Sequence, residues 1–205
     1  MPNPVRLREF FDTYVFGWMC ADIEREVNWA REGHSAGNWL CALGLLAYTE
    51  AMASILPNAP KLKSASAKSN AFFRQLGARY VDLLDRQRLN VYNVFRNGLA
   101  HEYFAKGTCT IAMLNSTAKP FEVFGRYTYI GDTDSRAPSC LISRPLECGI
   151  GIAANGSYYL VVEKYFADFR SACEWWRDRL LGSPATPINM PDVPLMSDSN
   201  GTPRW

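Results

Sequence analysis

The sequence predicts a mainly α-helical protein, a bundle of four to five helices with a small antiparallel β-sheet inserted before the last helix (α+β). Apolar residues recur at steps of three and four between residues 6 and 104, and again after residue 164. Between these regions the apolar period shortens to that of strands. The chain of 205 residues is 48% hydrophobic, which is enough to bury a core without disulfides or a structural metal.

The composition excludes several classes of protein. The net charge is +2, with 20% charged and 13% aromatic residues, so the chain is neither strongly basic nor disordered as a whole. No apolar run reaches the ~18 residues that a membrane-spanning helix needs. Charged residues near the start occupy the place where a signal peptide would have its apolar stretch. We therefore expect a cytoplasmic protein that does not associate with membranes.

Four helices are predicted before the strands, at residues 6–31, 36–56, 66–85 and 86–104. The first has apolar residues at helical spacing, among them Leu7, Phe11, Tyr14 and Trp18. The second is almost wholly apolar from Leu40 to Ala53, so we expect it to be central and buried. The third is predicted to run without interruption.

Short strands are predicted at residues 108–114, 121–130, 140–143, 148–153 and 158–163. Asn155-Gly156 between the last two is a strong signal for a tight hairpin turn. A fifth helix follows at residues 164–181, and residues 1–182 are predicted to form one domain. The remaining residues, 183–205, form a proline-rich tail without a regular pattern.

The cysteines and histidines favour a protein without a metal. None of the six cysteines forms a C-x-x-C pair, and only two histidines are present, so we expect buried free thiols and no metal site. The glycine pattern around Gly149 and Gly151 leads into a strand, whereas a dinucleotide-binding loop opens a helix. We therefore expect no cofactor.

The most informative stretch lies on the fourth helix. In an α-helix, Asn93, Asn97 and His101 share one face, and Tyr92 belongs to the opposite, apolar face. Arg96 lies five residues before His101, about 140° around the axis. Its long side chain must therefore curl round the helix, or else meet a histidine across a dimer.

An arginine and a histidine that lie close together suit phosphodiester chemistry on RNA. Histidine exchanges protons near neutral pH, and a guanidinium binds phosphate oxygens in pairs. Residues 61–106 support this reading with nine basic and three acidic residues, a local charge of 9 − 3 = +6. The alternative is a structural hydrogen-bonded cluster between helices.

Glu50 on the second helix is a possible supporting residue. It continues the face that carries Leu43 and Leu46, where a buried carboxylate would need a partner. We expect this face to reach the helix margin, so that water solvates Glu50; the alternative is a buried and partnered carboxylate.

Arg96-Asn97-Gly98-Leu99-Ala100-His101, late in the fourth helix, resembles the Arg-x(4–6)-His motif of the HEPN superfamily. Tyr103 extends it to Arg-x4-His-x-Tyr, which is similar to the motif of HEPN toxins paired with nucleotidyltransferase antitoxins. The resemblance covers residues 6–106 and the last helix.

The resemblance implies a helical bundle that forms a homodimer through the motif helices, with a composite site at the two-fold axis. Its implied activity is metal-independent cleavage of RNA. Arg96 would stabilise phosphate, His101 would be the acid and base, and Asn97 would orient His101 or the substrate. Tyr103 would contact the substrate or accept AMP from an antitoxin, and Asn93 and Glu50 would support the site. The alternative is a non-catalytic member that binds RNA, a nucleotide or a protein.

Overall fold

The computed structural model describes residues 4–32, 38–102, 105–107, 109–112, 122–123, 140–141, 147–152 and 158–182. In this part the protein is mainly helical and has a small β-sheet, as the sequence predicts. One continuous apolar core extends from Leu7 near the start to Leu180 in the last helix. The tail, residues 183–205, lies outside the described residues.

The first helical segment runs from residue 4 to residue 31 but changes type twice. It consists of α1 (Pro4–Glu9), a π-helix that we call π1 (Phe10–Cys20), and α2 (Ala21–Arg31). In π1, a Cβ on Gly17 would lie 3.0 Å from the carbonyl oxygen of Asp12, so the missing side chain relieves this turn. Trp18, predicted to face inward, is 43% exposed.

The second helix is central, as predicted. It comprises α3 (Asn38–Met52) and a 3-10 turn (Ala53–Ile55), and a further 3-10 turn follows (Ala59–Lys61). Its fully buried residues include Ala42, Leu45, Leu46 and Met52. The prediction is wrong at the beginning of the apolar stretch, because Leu40 is 63% exposed.

The predicted third helix is two helices. The structure has α4 (Ala65–Phe73), a 3-10 turn (Arg74–Leu76) and α5 (Ala78–Asp85). The Ser64 hydroxyl accepts a hydrogen bond from the Ala67 N–H and so caps α4. The interruption is at Gly77, whose φ of 137° no helix accommodates. The Arg74 guanidinium bridges the interruption with two hydrogen bonds to Asp85, at 2.6 and 2.7 Å.

The fourth helix begins later than predicted and is a π-helix, π2 (Tyr92–Glu102). Residues 86–90, predicted to be helical, form a turn in which Arg88 has a positive φ of 52°. After π2 the chain folds back along it, since the Lys106 N–H donates to the Val94 carbonyl at 2.9 Å.

The sheet is mixed, which corrects the predicted antiparallel arrangement. It has the order β1-β5-β4, formed by β1 (Thr110–Ala112), β4 (Ile150–Ile152) and β5 (Tyr158–Val161). β4 and β5 are antiparallel, as the predicted hairpin requires, but β1 is parallel to β5, with Ile111 opposite Leu160. The strands β2 (Glu122–Val123) and β3 (Cys140–Leu141) form a separate antiparallel pair. The predicted Asn155-Gly156 turn lies outside the described residues.

The last helix, α6 (Val162–Gly182), follows β5 directly and completes the core. Phe169 packs edge-on against Phe72 of α4, with ring centroids 5.9 Å apart. The hydroxyl of Tyr165 lies 2.9 Å from that of Thr49 on α3, so these two buried polar groups satisfy each other. A Cβ on Gly149 would lie 2.4 Å from the Cα of Tyr165, which explains a glycine at the entry to β4.

Candidate functional site

The helix π2 carries the predicted motif, and its burial pattern follows a wider period than that of an α-helix. Successive residues are about 80° apart in a π-helix, whose hydrogen bonds join residues five apart, and about 100° apart in an α-helix. When the residues of π2 are placed around the helix axis at steps of about 80°, the buried positions fall on one side and the exposed positions on the other. At α-helical steps of about 100°, the buried Gly98 would fall among the exposed positions. The buried positions are Phe95, Gly98 and Leu99, and the exposed ones are Asn93, Ala100, His101 and Glu102.

This helical type brings Arg96 and His101 to the same side of the helix. Five π-helical steps are about one full turn, which leaves the two residues roughly 40° apart. The expectation of 140° is therefore wrong, and Arg96 does not need to curl round the helix. Tyr92 comes about two turns before His101 on the same side, although the sequence had placed it on the apolar face.

Glu50 on α3 holds the inner edge of the Arg96 guanidinium. The Nε atom of Arg96 lies 3.5 Å from the Oε2 atom of Glu50, and the two side chains are 25% and 24% exposed. Both atoms are buried and have no hydrogen-bond partner at normal distance among the described residues. The structure combines the two readings of Glu50, because its Oε2 atom is buried beside Arg96 and its side chain remains 24% exposed.

Tyr92 contacts the same guanidinium through the face of its ring. The Cζ atom of Arg96 lies 5.4 Å from the centroid of the Tyr92 ring, within range of a cation–π interaction. In the described part of the chain, no hydrogen bond occupies the two terminal amino groups of Arg96. The side chain thus contacts Glu50 at its inner end, and its outer end has no hydrogen-bond partner among the described residues.

The other predicted site residues lie nearby with different degrees of exposure. His101 is exposed, and no hydrogen bond or ion pair joins it to another described residue. Asn97 is half-buried and Asn93 is exposed. The backbone N–H of Asn93 donates to the side-chain oxygen of Asn90, so the Asn90 side chain caps the start of the helix. Tyr103 lies outside the described residues.

Local acidic partners reduce the predicted basic surface. Arg74 pairs with Asp85, Arg79 with Glu147 at 2.6 Å, and Arg86 with Asp82 at 3.4 Å. Lys106 pairs with Glu102 at 2.9 Å. Four exposed cations of residues 61–106 form no ion pair with a described residue: Lys61, Lys63, Lys68 and Arg88.

A second polar cluster, which the sequence did not indicate, joins α5, α6 and the entry to β4. Asp168 accepts hydrogen bonds from the Tyr80 hydroxyl at 2.6 Å and from Lys164. The Gly149 N–H donates to the Tyr80 oxygen at 2.7 Å. Burial, together with the charge of Asp168, raises the pKa of Tyr80 well above its ordinary value. These groups satisfy one another, so we assign the cluster a structural role.

The comparisons with known proteins add no assignment: no family model, no curated protein and no solved structure matches the chain. Within the described residues, no helix is long and apolar enough to cross a bilayer. The same residues contain no group of three or more histidine, cysteine, aspartate or glutamate side chains placed to bind a metal ion.

Proposed function

We propose that this protein is a metal-independent endoribonuclease of the HEPN type. The observation that carries the proposal is the shared face of π2, where the terminal amino groups of Arg96 form no hydrogen bond with a described residue and lie about one helical turn from the exposed His101. A phosphodiester that bound the guanidinium fork would have its ribose within reach of the imidazole. Asn97, which lies between the two in sequence and is half-buried, would orient His101 or the substrate.

In the proposed reaction RNA supplies its own nucleophile. The ribose 2′-oxygen loses its proton to a histidine and attacks the adjacent phosphorus, and the bond from phosphorus to the 5′-oxygen breaks. The 5′-oxygen takes a proton and leaves as a hydroxyl, so the products are a 2′,3′-cyclic phosphate and a 5′-hydroxyl end. Arg96 stabilises the charge that builds on the non-bridging oxygens.

The attacking and leaving oxygens of an in-line displacement lie on opposite sides of the phosphorus. One imidazole does not reach both sides, whereas two related by a dimer axis do. We therefore propose, together with the nuclease activity, a homodimer in which His101 of one subunit is the base and His101 of the other is the acid.

The test is cleavage of single-stranded RNA by the purified protein in the presence of EDTA. We expect the wild-type protein to leave 2′,3′-cyclic phosphate ends, and His101→Ala to lose at least about a hundredfold in rate. The matched control is His34→Ala, which removes the chain's other histidine and should cleave normally. Equal cleavage by wild type and His101→Ala would remove His101 from the mechanism.

The second candidate function is a non-catalytic module that binds RNA. The observation in its favour is the set of exposed cations Lys61, Lys63, Lys68 and Arg88, which form no ion pair with a described residue and could bind phosphates without His101. A gel shift with RNA that stays intact, and that persists in His101→Ala, would favour this function over the nuclease.

A further inference from the structure

The pair formed by Glu50 and Arg96 differs in kind from the pair formed by Arg74 and Asp85, which also joins two helical elements. Both terminal amino groups of Arg74 donate hydrogen bonds to the Asp85 carboxylate, at 2.6 and 2.7 Å. Arg96 approaches Glu50 through Nε alone, at 3.5 Å, and its terminal amino groups form no hydrogen bond with any residue that the structure describes. A partly exposed single contact of this length adds little stability. The pair is therefore better explained by its effect on the orientation of the guanidinium and on the binding of a charged ligand to it.

The direction of the guanidinium follows from its two contacts. Glu50 lies beside the Nε atom and the centroid of the Tyr92 ring lies 5.4 Å from the Cζ atom, so two side chains restrict where the guanidinium can move. The terminal amino groups are the part left for a ligand, and their fork geometry fits the two non-bridging oxygens of a phosphate.

The negative charge of the Glu50 carboxylate repels the phosphate that the guanidinium attracts. A phosphate that binds the fork comes within about 7 Å of Glu50, and one unit charge at this distance changes affinity roughly fivefold to tenfold in a half-buried site. The carboxylate thus orients the arginine while weakening the binding of phosphate to it.

We propose that Glu50 is a positioning residue that fixes the Arg96 fork for an internal phosphodiester of single-stranded RNA and limits how tightly that phosphodiester is held. The inference rests on the proposed function in taking RNA as the ligand. It assigns Glu50 a role in the release of RNA as well as in its orientation, because a looser complex dissociates sooner.

The test compares two variants that make the same chemical change at the two arginine–carboxylate pairs. Glu50→Gln keeps an oxygen beside Arg96 Nε and removes the charge, and Asp85→Asn does the same beside Arg74. The probe is a single-stranded 2′-O-methyl RNA, which lacks the nucleophile and stays intact, and binding is measured by fluorescence anisotropy at one salt concentration.

We expect Glu50→Gln to bind this RNA roughly fivefold to tenfold more tightly than wild type, and Asp85→Asn to stay within about twofold. A variant that merely damaged the fold would not bind more tightly, and equal melting temperatures would confirm folding. With unmodified RNA, Glu50→Ala should lower kcat more than it changes KM, since the fork is no longer held in place.

Three results would overturn the inference: binding by Glu50→Gln no tighter than that by Asp85→Asn, tighter binding by both, or no binding of the 2′-O-methyl RNA by any variant. Its failure is distinguishable from that of the nuclease. Tighter binding by Glu50→Gln without cleavage of unmodified RNA refutes the nuclease and keeps the role of Glu50. Cleavage that depends on His101, with no effect of Glu50→Gln on binding, supports the nuclease and refutes the role of Glu50.

Discussion

The hydroxyl of Tyr80 on α5 donates a 2.6 Å hydrogen bond to the carboxylate of Asp168 on α6. The same oxygen accepts the Gly149 N–H, so one side chain connects two helices and the entry to β4. Tyr80 is 1% exposed, and water therefore has little access to replace it. This hydroxyl is one point at which polar contacts join the helical and sheet parts of the molecule.

Removing the hydroxyl should destabilise the protein. We expect Tyr80→Phe to lower the free energy of unfolding by about 1–3 kcal/mol, because it removes one hydrogen bond from the partly buried Asp168 carboxylate and one from the Gly149 N–H. Urea unfolding followed by circular dichroism measures this loss. Tyr158→Phe is the control, since its hydroxyl makes only a 3.4 Å contact with Gln87. Similar losses in the two variants would contradict the role assigned to Tyr80.

Close packing at Gly149 gives a second prediction. An added Cβ would lie 2.4 Å from the Cα of Tyr165, and backbone does not yield easily, so Gly149→Ala should cost about 1–3 kcal/mol or more. A Cβ at Gly182 meets nothing within 4 Å, and Gly182→Ala should change stability by less than about 0.5 kcal/mol. Chemical denaturation of both variants tests this ranking, which a neutral Gly149→Ala would refute.

The buried thiols predict a loss of stability in alkali. Burial raises the pKa of Cys20 to about 11 and that of Cys41 to about 12, from an ordinary value of 9.0. Above pH 9 the unfolded chain loses these protons first, so their contribution to stability is complete below pH 9 and is lost as the pH rises towards 12.

The measurement is the free energy of unfolding in urea at several pH values from 7 upward, with a reductant present. The double variant Cys20→Ala/Cys41→Ala should be less stable at neutral pH. Its free energy of unfolding should fall less steeply above pH 9, because the two thiols with a raised pKa are absent. Parallel curves for the variant and the wild type would contradict the shifted thiols.

The geometry at Arg96 predicts that lysine is a poor replacement. Arg96→Lys keeps the charge but loses the fork, so RNA cleavage should fall at least about tenfold. Single-turnover cleavage with excess protein measures this step. Arg74→Lys is the matched control at a pair outside the site, and it should cleave at the wild-type rate. Full activity in Arg96→Lys would show that charge alone suffices.

The sequence predicted the features that depend on local periodicity. The apolar run of the second helix gave α3 and its buried position, and the aromatic residues after residue 164 gave α6. The alternating residues on both sides of Asn155-Gly156 gave the antiparallel pairing of β4 with β5. In each case the residues that form the element are also those that make the pattern.

The features that the sequence did not predict depend on geometry rather than on pattern. An α-helical period was assumed for the fourth helix, and this assumption placed Tyr92 and Arg96 on the wrong faces. A lone glycine is tolerated in a helix, so the sequence did not indicate that Gly77 has a positive φ. The Glu50 carboxylate lies far from Arg96 in the chain, and only tertiary packing brings them together.

The parallel pairing of β1 with β5 determines when during translation the protein can finish folding. Thr110–Ala112 leave the ribosome well before Tyr158–Val161, and α6 emerges later still. Until then Phe72 has no Phe169 to cover it, and the newly made helices expose aromatic surface of the kind that chaperones bind. Translation therefore has to reach the end of α6 before the first hundred residues acquire their final packing, and a chain that stops earlier is a substrate for proteolysis.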